Sequence, residues 1–319
     1  MSLYDWVANT NTRIRRDGLT GVVDSVYPIY RGSWRIIGSR LPIGTNVFES
    51  EWDVLVILDG CRVDVLEAMA TDVPYVSSVE SLVSVGSTSR EWLAKTFTPT
   101  YRDQINRTAY VSANPFTSEI FGPDGGKTNS RFNPANWETV GSDAFLVLEE
   151  VWKDAWDDEL GTVLPRAVTD RAISVGRTHR PDRMIVHYMQ PHQPFLSTDA
   201  ELLLPEFHGR YWEALRRREV EFDAVWDAYE STLQFVLDDV ALLRENLAGD
   251  TTIITADHGN AVGEWGIVGH PNGCLHPSVK HVPWAKTTAR DTGNYTPSDR
   301  RSEGTVTVDE RLESLGYKP

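Results

Sequence analysis

The segment Thr251–Trp284, TTIITADHGNAVGEWGIVGHPNGCLHPSVKHVPW, decides how the rest of the chain is read. Thr251–Thr255 is a short β-branched run bounded by Asp250 and by Asp257-His258-Gly259, which predicts a buried strand of a mostly parallel sheet. Open α/β sheets gather ligands at the carboxyl ends of their strands, so Asp257 and His258 stand where chemistry is expected. A carboxylate beside an imidazole is a natural ligand pair for a divalent metal, and Gly259 lets the backbone turn behind them. His270, His276 and His281 follow on a Gly- and Pro-punctuated stretch, so four of the eight histidines fall in this one segment.

Three further stretches have the same character. Val54–Leu58 is an apolar run with the length and branching of a central strand, ending on Asp59 with Gly60 as the turn and a helix predicted over residues 63–70. Asp59 on a neighbouring strand end can meet Asp257 and His258 around one ion. Arg62 is read two ways, as a contact to a substrate anion or as the partner of Asp64. Cys61 is expected to be a packed core thiol. Next, Gly86-Ser87-Thr88-Ser89 precedes a helix predicted over residues 90–97. A helix N-terminus favours an alkoxide and a bound phosphate or sulfate, although plain N-capping accounts for the same hydroxyls. Finally, Arg183–Tyr188 reads as a strand running into Gln190-Pro191-His192-Gln193-Pro194, with His187 expected to be a packed histidine inside it.

Taken in order, these residues resemble the alkaline phosphatase superfamily core, its sulfatase-like branch most of all. The resemblance rests on Asp257-His258-Gly259, Gly269-His270-Pro271 and Val282-Pro283-Trp284 in one half of the chain. Asp59-Gly60-x-Arg62 is similar to the first motif of nucleotide pyrophosphatase/phosphodiesterases, which have one metal-binding Asp there. Sulfatases usually have two consecutive Asp residues, and Gly60 fills the second place, which argues against their calcium site. Pro191-His192-x-Pro194 resembles the Asp-Pro-His-x-Pro segment of sulfatases and lipoteichoic-acid-synthase-like enzymes, whose His contacts the substrate anion. Gln190 replaces that Asp and removes a ligand for a second metal.

The resemblance implies an alkaline-phosphatase-like α/β fold, with a mostly parallel central sheet and helices on both faces. It implies one divalent ion (Mn, Zn, Mg or Ca) on Asp59, Asp257, His258 and the nucleophile oxygen, with His270 at the same end. His192, Arg62 and His270 would neutralise charge on the ester. Aligning Glu91 with the Glu that follows the nucleophile in lipoteichoic-acid-synthase-like enzymes selects Ser87, whereas the spacing from Gly86 selects Thr88. No Cys-x-Pro-x-Arg is present to supply a formylglycine, which favours direct attack of a hydroxyl on phosphorus over sulfate hydrolysis. The expected activity is a metal-dependent phosphoester hydrolase or phosphotransferase acting on a small-molecule or lipid/glycan-headgroup ester. Two rivals stand beside it. One is a two-metal phosphodiesterase with His192, His270 and His276 on the second ion, and the other is a sulfatase-shaped binding protein without turnover.

Composition bounds the remainder. The net charge of −15, with only six lysines among the 31 basic residues, suits a salt-adapted surface or an ordinary acidic protein, and no basic stripe exists to grip a nucleic acid. Two cysteines, no 18-residue apolar run and no signal-like N-terminus lead to the expectation of a cytoplasmic protein. Residues 1–46 are read as a helical lead-in packed on the domain's back, with contact to a membrane surface as the alternative. Residues 47–319 are read as a single domain, with a Gly/Pro/Asn-rich insertion or lid near 106–140. Helices are expected over residues 147–156, 164–177, 206–218 and 222–246, an exposed loop over 287–303 and a closing element over 306–317.

Overall fold

The computed structural model describes residues 43–122, 137–298 and 307–317; the lead-in before residue 43 and the lid residues 123–136 lie outside them. The strands of the central sheet are β1 (Val54–Leu58), β2 (Glu80–Val83), β3 (Thr108–Ser112), β4 (Val147–Glu150), β5 (Arg183–Tyr188), β6 (Gly249–Thr255) and β7 (His281–Ala289). They lie in the order β2-β7-β6-β1-β5-β3-β4. The run from β6 to β4 is parallel throughout, and β7 pairs antiparallel with both β6 and β2 at one edge. This is the α/β architecture expected from the sequence.

Alternation along each strand splits the interior into two cores. Val54, Val56 and Leu58 of β1, with Met184, Val186 and Tyr188 of β5, face one core. That core is closed by α1 (Val63–Met69), α4 (Pro165–His179) and α6 (Phe222–Asn246). Leu55, Ile57, Tyr110 and Ile185 point the other way, onto α2 (Ser89–Thr96) and α3 (Phe116–Phe121). In α6 the buried positions Val225, Tyr229, Leu233, Val236, Val240 and Leu243 recur every three or four residues, one stripe of a 25-residue helix. Tyr229 is therefore core and Trp226 packs half-buried against it, whereas Phe222 is exposed. Two shorter helices complete the frame, α5 (Tyr211–Arg217) and α7 (Val308–Ser314).

Two expectations are corrected. The stretch near 106–140 is not all insertion, because Thr108–Ser112 is a fully buried strand between β5 and β4, followed by α3. Residues 147–156 do not form a helix; Val147–Glu150 is the outer strand, paired in parallel with Ala109–Ser112, and a single 3-10 turn follows. The free ladder of β3 recruits this segment, overriding its local helical pattern.

The registers set the functional end. Ile57 pairs with His187 and with Thr255, and Ser112 also pairs with His187. Asp59, Asp257 and Asn114 each lie two residues past those paired positions, so parallel pairing alone delivers them side by side.

Candidate metal centre and nucleophile

At the carboxyl ends of β1 and β6, Asp59, Asp257 and His258 offer one ligand atom each, all within 4.8 Å of one another, and all three residues are completely buried. Each carboxylate has one oxygen anchored by the protein and one left over. Asp59 Oδ2 accepts from Ser89 Oγ at 3.0 Å and from Asn114 Nδ2 at 2.9 Å, while Oδ1 has no partner. Asp257 Oδ1 accepts from the backbone N–H groups of Gly60 (3.1 Å) and His258 (2.9 Å), while Oδ2 has none. Both orphaned oxygens converge on Nε2 of His258, Asp59 Oδ1 at 3.6 Å and Asp257 Oδ2 at 3.5 Å. His258 lies with Nδ1 2.9 Å from the carbonyl of Gly259; a carbonyl only accepts, so Nδ1 carries the proton and Nε2 keeps its lone pair.

Among the described residues no lysine or arginine pairs with either carboxylate. Two buried carboxylates without a counter-ion are costly, and each partnerless oxygen adds to that cost. A divalent cation removes both penalties. Atoms bound to zinc at about 2.1 Å in a tetrahedral arrangement stand about 3.4 Å apart, close to the 3.6 and 3.5 Å that separate the two carboxylate oxygens from His258 Nε2. The donor set therefore fits such an ion.

His187 lies beside this three-ligand group without being one of its members, packed as expected but close to both carboxylates. It is fully buried, and its unpartnered Nε2 lies 3.7 Å from Asp59 Oδ2 and 3.9 Å from Asp257 Oδ2. Nδ1 and the Tyr110 hydroxyl are hydrogen-bonded at 2.8 Å, and Trp92 packs edge-on against the ring. Burial pushes the Asp59 carboxyl up, but the nearby side chains of His187, His192 and His258 outweigh it and bring the pKa down to about 2.

The hydroxyl beside the carboxylates belongs to Ser89. Its Oγ is 3.0 Å from Asp59 Oδ2, 3.4 Å from His258 Nε2 and 3.0 Å from the hydroxyl of Tyr317. Ser87 and Thr88, the two candidates taken from sequence, serve the helix start. Ser87 Oγ donates to Glu91 Oε2 at 2.8 Å, and Thr88 is the N-cap of α2, accepting from the Glu91 N–H at 3.2 Å. Helix α2 thus begins at Ser89, one residue earlier than expected, and that residue is the one turned toward the carboxylates. The signal was present in the sequence: Thr88-x-x-Glu91 is a capping box pattern, which assigns the cap to Thr88. Gly86 provides no approach to substrate. A Cβ there would meet the backbone nitrogen of Trp92 at 2.5 Å, so the glycine lets the loop lie against α2. Gly60 does supply the turn after β1, at φ +70°.

The other expected site residues divide. His192 is buried at the same end, its Nδ1 2.7 Å from the Gln193 carbonyl and its ring 5.1 Å from that of His270. Burial lowers its pKa, an effect partly offset by Asp59. His270 stands 4.3 Å, ring to ring, from His258, with Nδ1 bonded to Asn260 Oδ1 at 2.7 Å; it flanks the three-ligand group without entering it. His276 caps the one-turn helix Pro277–Lys280 and packs against Trp265. Arg62 is committed elsewhere: it pairs with Asp64 (2.6 Å) and Glu264 (2.8 Å) and donates to the Asn260 carbonyl (2.7 Å). Its task is to hold the 260–264 loop against the start of α1, and the substrate-contact reading is set aside. Cys61 is fully buried, as a packed thiol should be. No periodicity or motif points to Asn114 or Tyr317.

Neither a protein-family model nor a curated protein matches the sequence. Among solved structures, the integral membrane lipooligosaccharide phosphoethanolamine transferase A of Neisseria meningitidis is similar at TM-score 0.46 and 12% identity, over 99% of this chain and 64% of that one. The zinc complex of the C-terminal periplasmic domain of EptC from Escherichia coli gives 0.47 and 12%, over 81% and 79%. A putative sulfatase from Bacteroides thetaiotaomicron gives 0.42 and 10%, over 83% and 70%. All three likenesses are in overall fold, at low sequence identity. The cytoplasmic expectation is corrected by the same findings, since these neighbours include a periplasmic domain and an integral membrane protein. The two cysteines gave no real purchase on the compartment, because burial in the fold accounts for both. Among the described residues no helix is long and apolar enough to cross a membrane.

Proposed function

We propose that the protein is a metal-dependent phosphoester hydrolase or phosphotransferase that works through a covalent intermediate on Ser89. The observation that carries this reading is the pair of orphaned carboxylate oxygens, Asp59 Oδ1 and Asp257 Oδ2, converging on His258 Nε2 beside the Ser89 hydroxyl. Those three atoms, with His187 Nε2 as a fourth, would hold one divalent ion. When bound, such an ion supplies a Lewis acid for a non-bridging ester oxygen and lowers the pKa of the neighbouring hydroxyl.

The chain's own groups do the rest. Asn114 and the Gly60 N–H fix the two carboxylates so that their free oxygens stay aimed. Ser89 is the first residue of α2, so the positive end of that helix lies beside its hydroxyl and would favour the charge of a phosphoryl group. As the Ser89 Oγ–phosphorus bond forms, the bond to the leaving alcohol breaks, and the proton released by Ser89 completes that alcohol. Water or an acceptor alcohol then takes the group from Ser89. With Nδ1 donating to the Gln193 carbonyl, neutral His192 presents Nε2 as an acceptor, suited to receive the proton of the incoming hydroxyl. A lipid- or glycan-headgroup ester is the substrate class we favour.

The test is metal content and turnover of the purified protein on aryl phosphomonoesters, phosphodiesters and sulfate esters with manganese or zinc. One ion per chain and turnover confined to phosphorus esters are expected. Two ions per chain, or turnover of sulfate esters alone, would overturn the reading.

A further inference from the structure

The nucleophile proposed above is sealed from solvent. Ser89, Asp59, Asp257 and His258 have no exposed surface and His192 only 1%, so no ester reaches Ser89 in this conformation. What stands over Ser89 is Tyr317, three residues beyond the end of α7. Its hydroxyl is 3.0 Å from Ser89 Oγ. Its ring lies flat on His192 at 5.0 Å and 9°, meets Phe116 edge-on at 4.9 Å, and is 5.6 Å from His270. An aromatic alcohol thus fills the space between the nucleophile and the two flanking histidines, where the alcohol part of an ester would have to lie.

The element that carries Tyr317 is held by few attachments. Helix α7 has seven residues, too short to persist without its packing. Leu312 and Leu315 are buried, Arg311 pairs with Asp158 and lies over Trp156, and Gln193 Nε2 donates to the Leu315 carbonyl at 2.9 Å. The Gln193 contact comes from the residue next to His192, so the stopper and the site share a hinge point. Gly316 lies between anchor and stopper at φ +78°, and a Cβ there would stand 2.2 Å from Gln193 Nε2 and 2.9 Å from the Gly209 carbonyl.

We propose that Tyr317 is an internal stopper occupying the alcohol subsite at Ser89, and that α7 with the residues up to Tyr317 must swing away before an ester can bind. The subsite it vacates, walled by His192, His270 and Phe116, takes a hydroxyl-bearing ring. This rests on Ser89 being the nucleophile for its consequence in turnover, but the closure itself can be read without turnover.

The experiment is carbethoxylation of histidines by diethyl pyrocarbonate in the full-length metal-free protein, mapped by mass spectrometry, with exposed His179 as internal standard. Relative to His179, His192 should react at least tenfold faster in Tyr317→Ala than in the wild type. Tyr317→Phe, which keeps the ring, should stay within threefold of the wild type. Gly316→Ala keeps the tyrosine but forces the segment off its Gln193 anchor and off Gly209, and it should match Tyr317→Ala. Circular dichroism guards against global unfolding, and the alanine variant at 316 replaces any Tyr317 variant that does not fold. An unchanged His192 rate in both opening variants overturns the stopper. In the metal-loaded protein, Tyr317→Ala should raise kcat/KM on aryl phosphates at least fivefold; a fall shared by Tyr317→Ala and Tyr317→Phe would make the phenol a required donor instead, and overturn the proposal. Absence of turnover in every form, with the labelling difference intact, would refute the proposed activity and leave the closure standing.

Discussion

Replacing Ser89, Thr88 and Ser87 one at a time by alanine separates chemistry from structure at the start of α2. Ser89→Ala removes the Oγ that stands 3.0 Å from Asp59 Oδ2. Asp59 keeps its bond from Asn114, so little stability is lost, whereas the covalent route disappears. Losses of at least about a thousandfold in turnover, about 4 kcal/mol of barrier, are typical when a nucleophile is deleted. Thr88→Ala removes the N-cap acceptor for the Glu91 N–H and should cost about 1 kcal/mol of stability with turnover nearly unchanged. Ser87→Ala strips one of two donors from Glu91 Oε2, a carboxylate with 3% exposure; the Ser87 N–H at 3.0 Å remains. A buried charged acceptor that loses one donor costs about 1–3 kcal/mol, so this variant should be the least stable of the three. The assays are initial rates on an aryl phosphate with saturating metal, and thermal melts of the same samples. Turnover of Ser89→Ala within tenfold of the wild type, or a thousandfold loss in Thr88→Ala or Ser87→Ala without unfolding, would refute the assignment.

Three other outcomes follow from the same geometry. Asp257→Asn should leave the fold intact by circular dichroism and abolish stoichiometric metal binding in calorimetry; retained binding would sink the centre. His187→Asn preserves a group near the Tyr110 hydroxyl but deletes Nε2, and should weaken metal affinity by about 10–100-fold, with an unchanged Kd returning His187 to a packing role. In the metal-free protein, the Asp59 carboxyl titrates at about 2 rather than 3.8, a depressed value, so its contribution is present above pH 4 and is lost as the pH falls from there toward 2. That contribution, about 2 kcal/mol, should vanish from the acid-unfolding profile of Asp59→Asn, and identical slopes for the two proteins would rule it out.

Local patterns sufficed wherever a single strand end or helix decided the matter. Val54–Leu58 and Phe222–Asn246 are read correctly because burial on both faces writes an unbroken apolar run, and burial on one helical face writes its period, directly into the sequence. Asp59, Asp257 and His258 were legible because each terminates or follows an apolar run, and parallel pairing brings such ends together whatever the rest of the chain does. The sequence could not assign Val147–Glu150, since only the free ladder of β3 makes that segment a strand. Ser89 was legible only through the Thr88-x-x-Glu91 cap, for a one-residue shift of the cap rotates a neighbouring side chain by about 100° around the helix. His187 and Asn114 meet the carboxylates from β5 and the end of β3, and Tyr317 meets Ser89 from the residues after α7, across separations of 55 to 228 residues along the chain. Sheet register and the docking of α7 set those contacts, and both are tertiary events with no local signature.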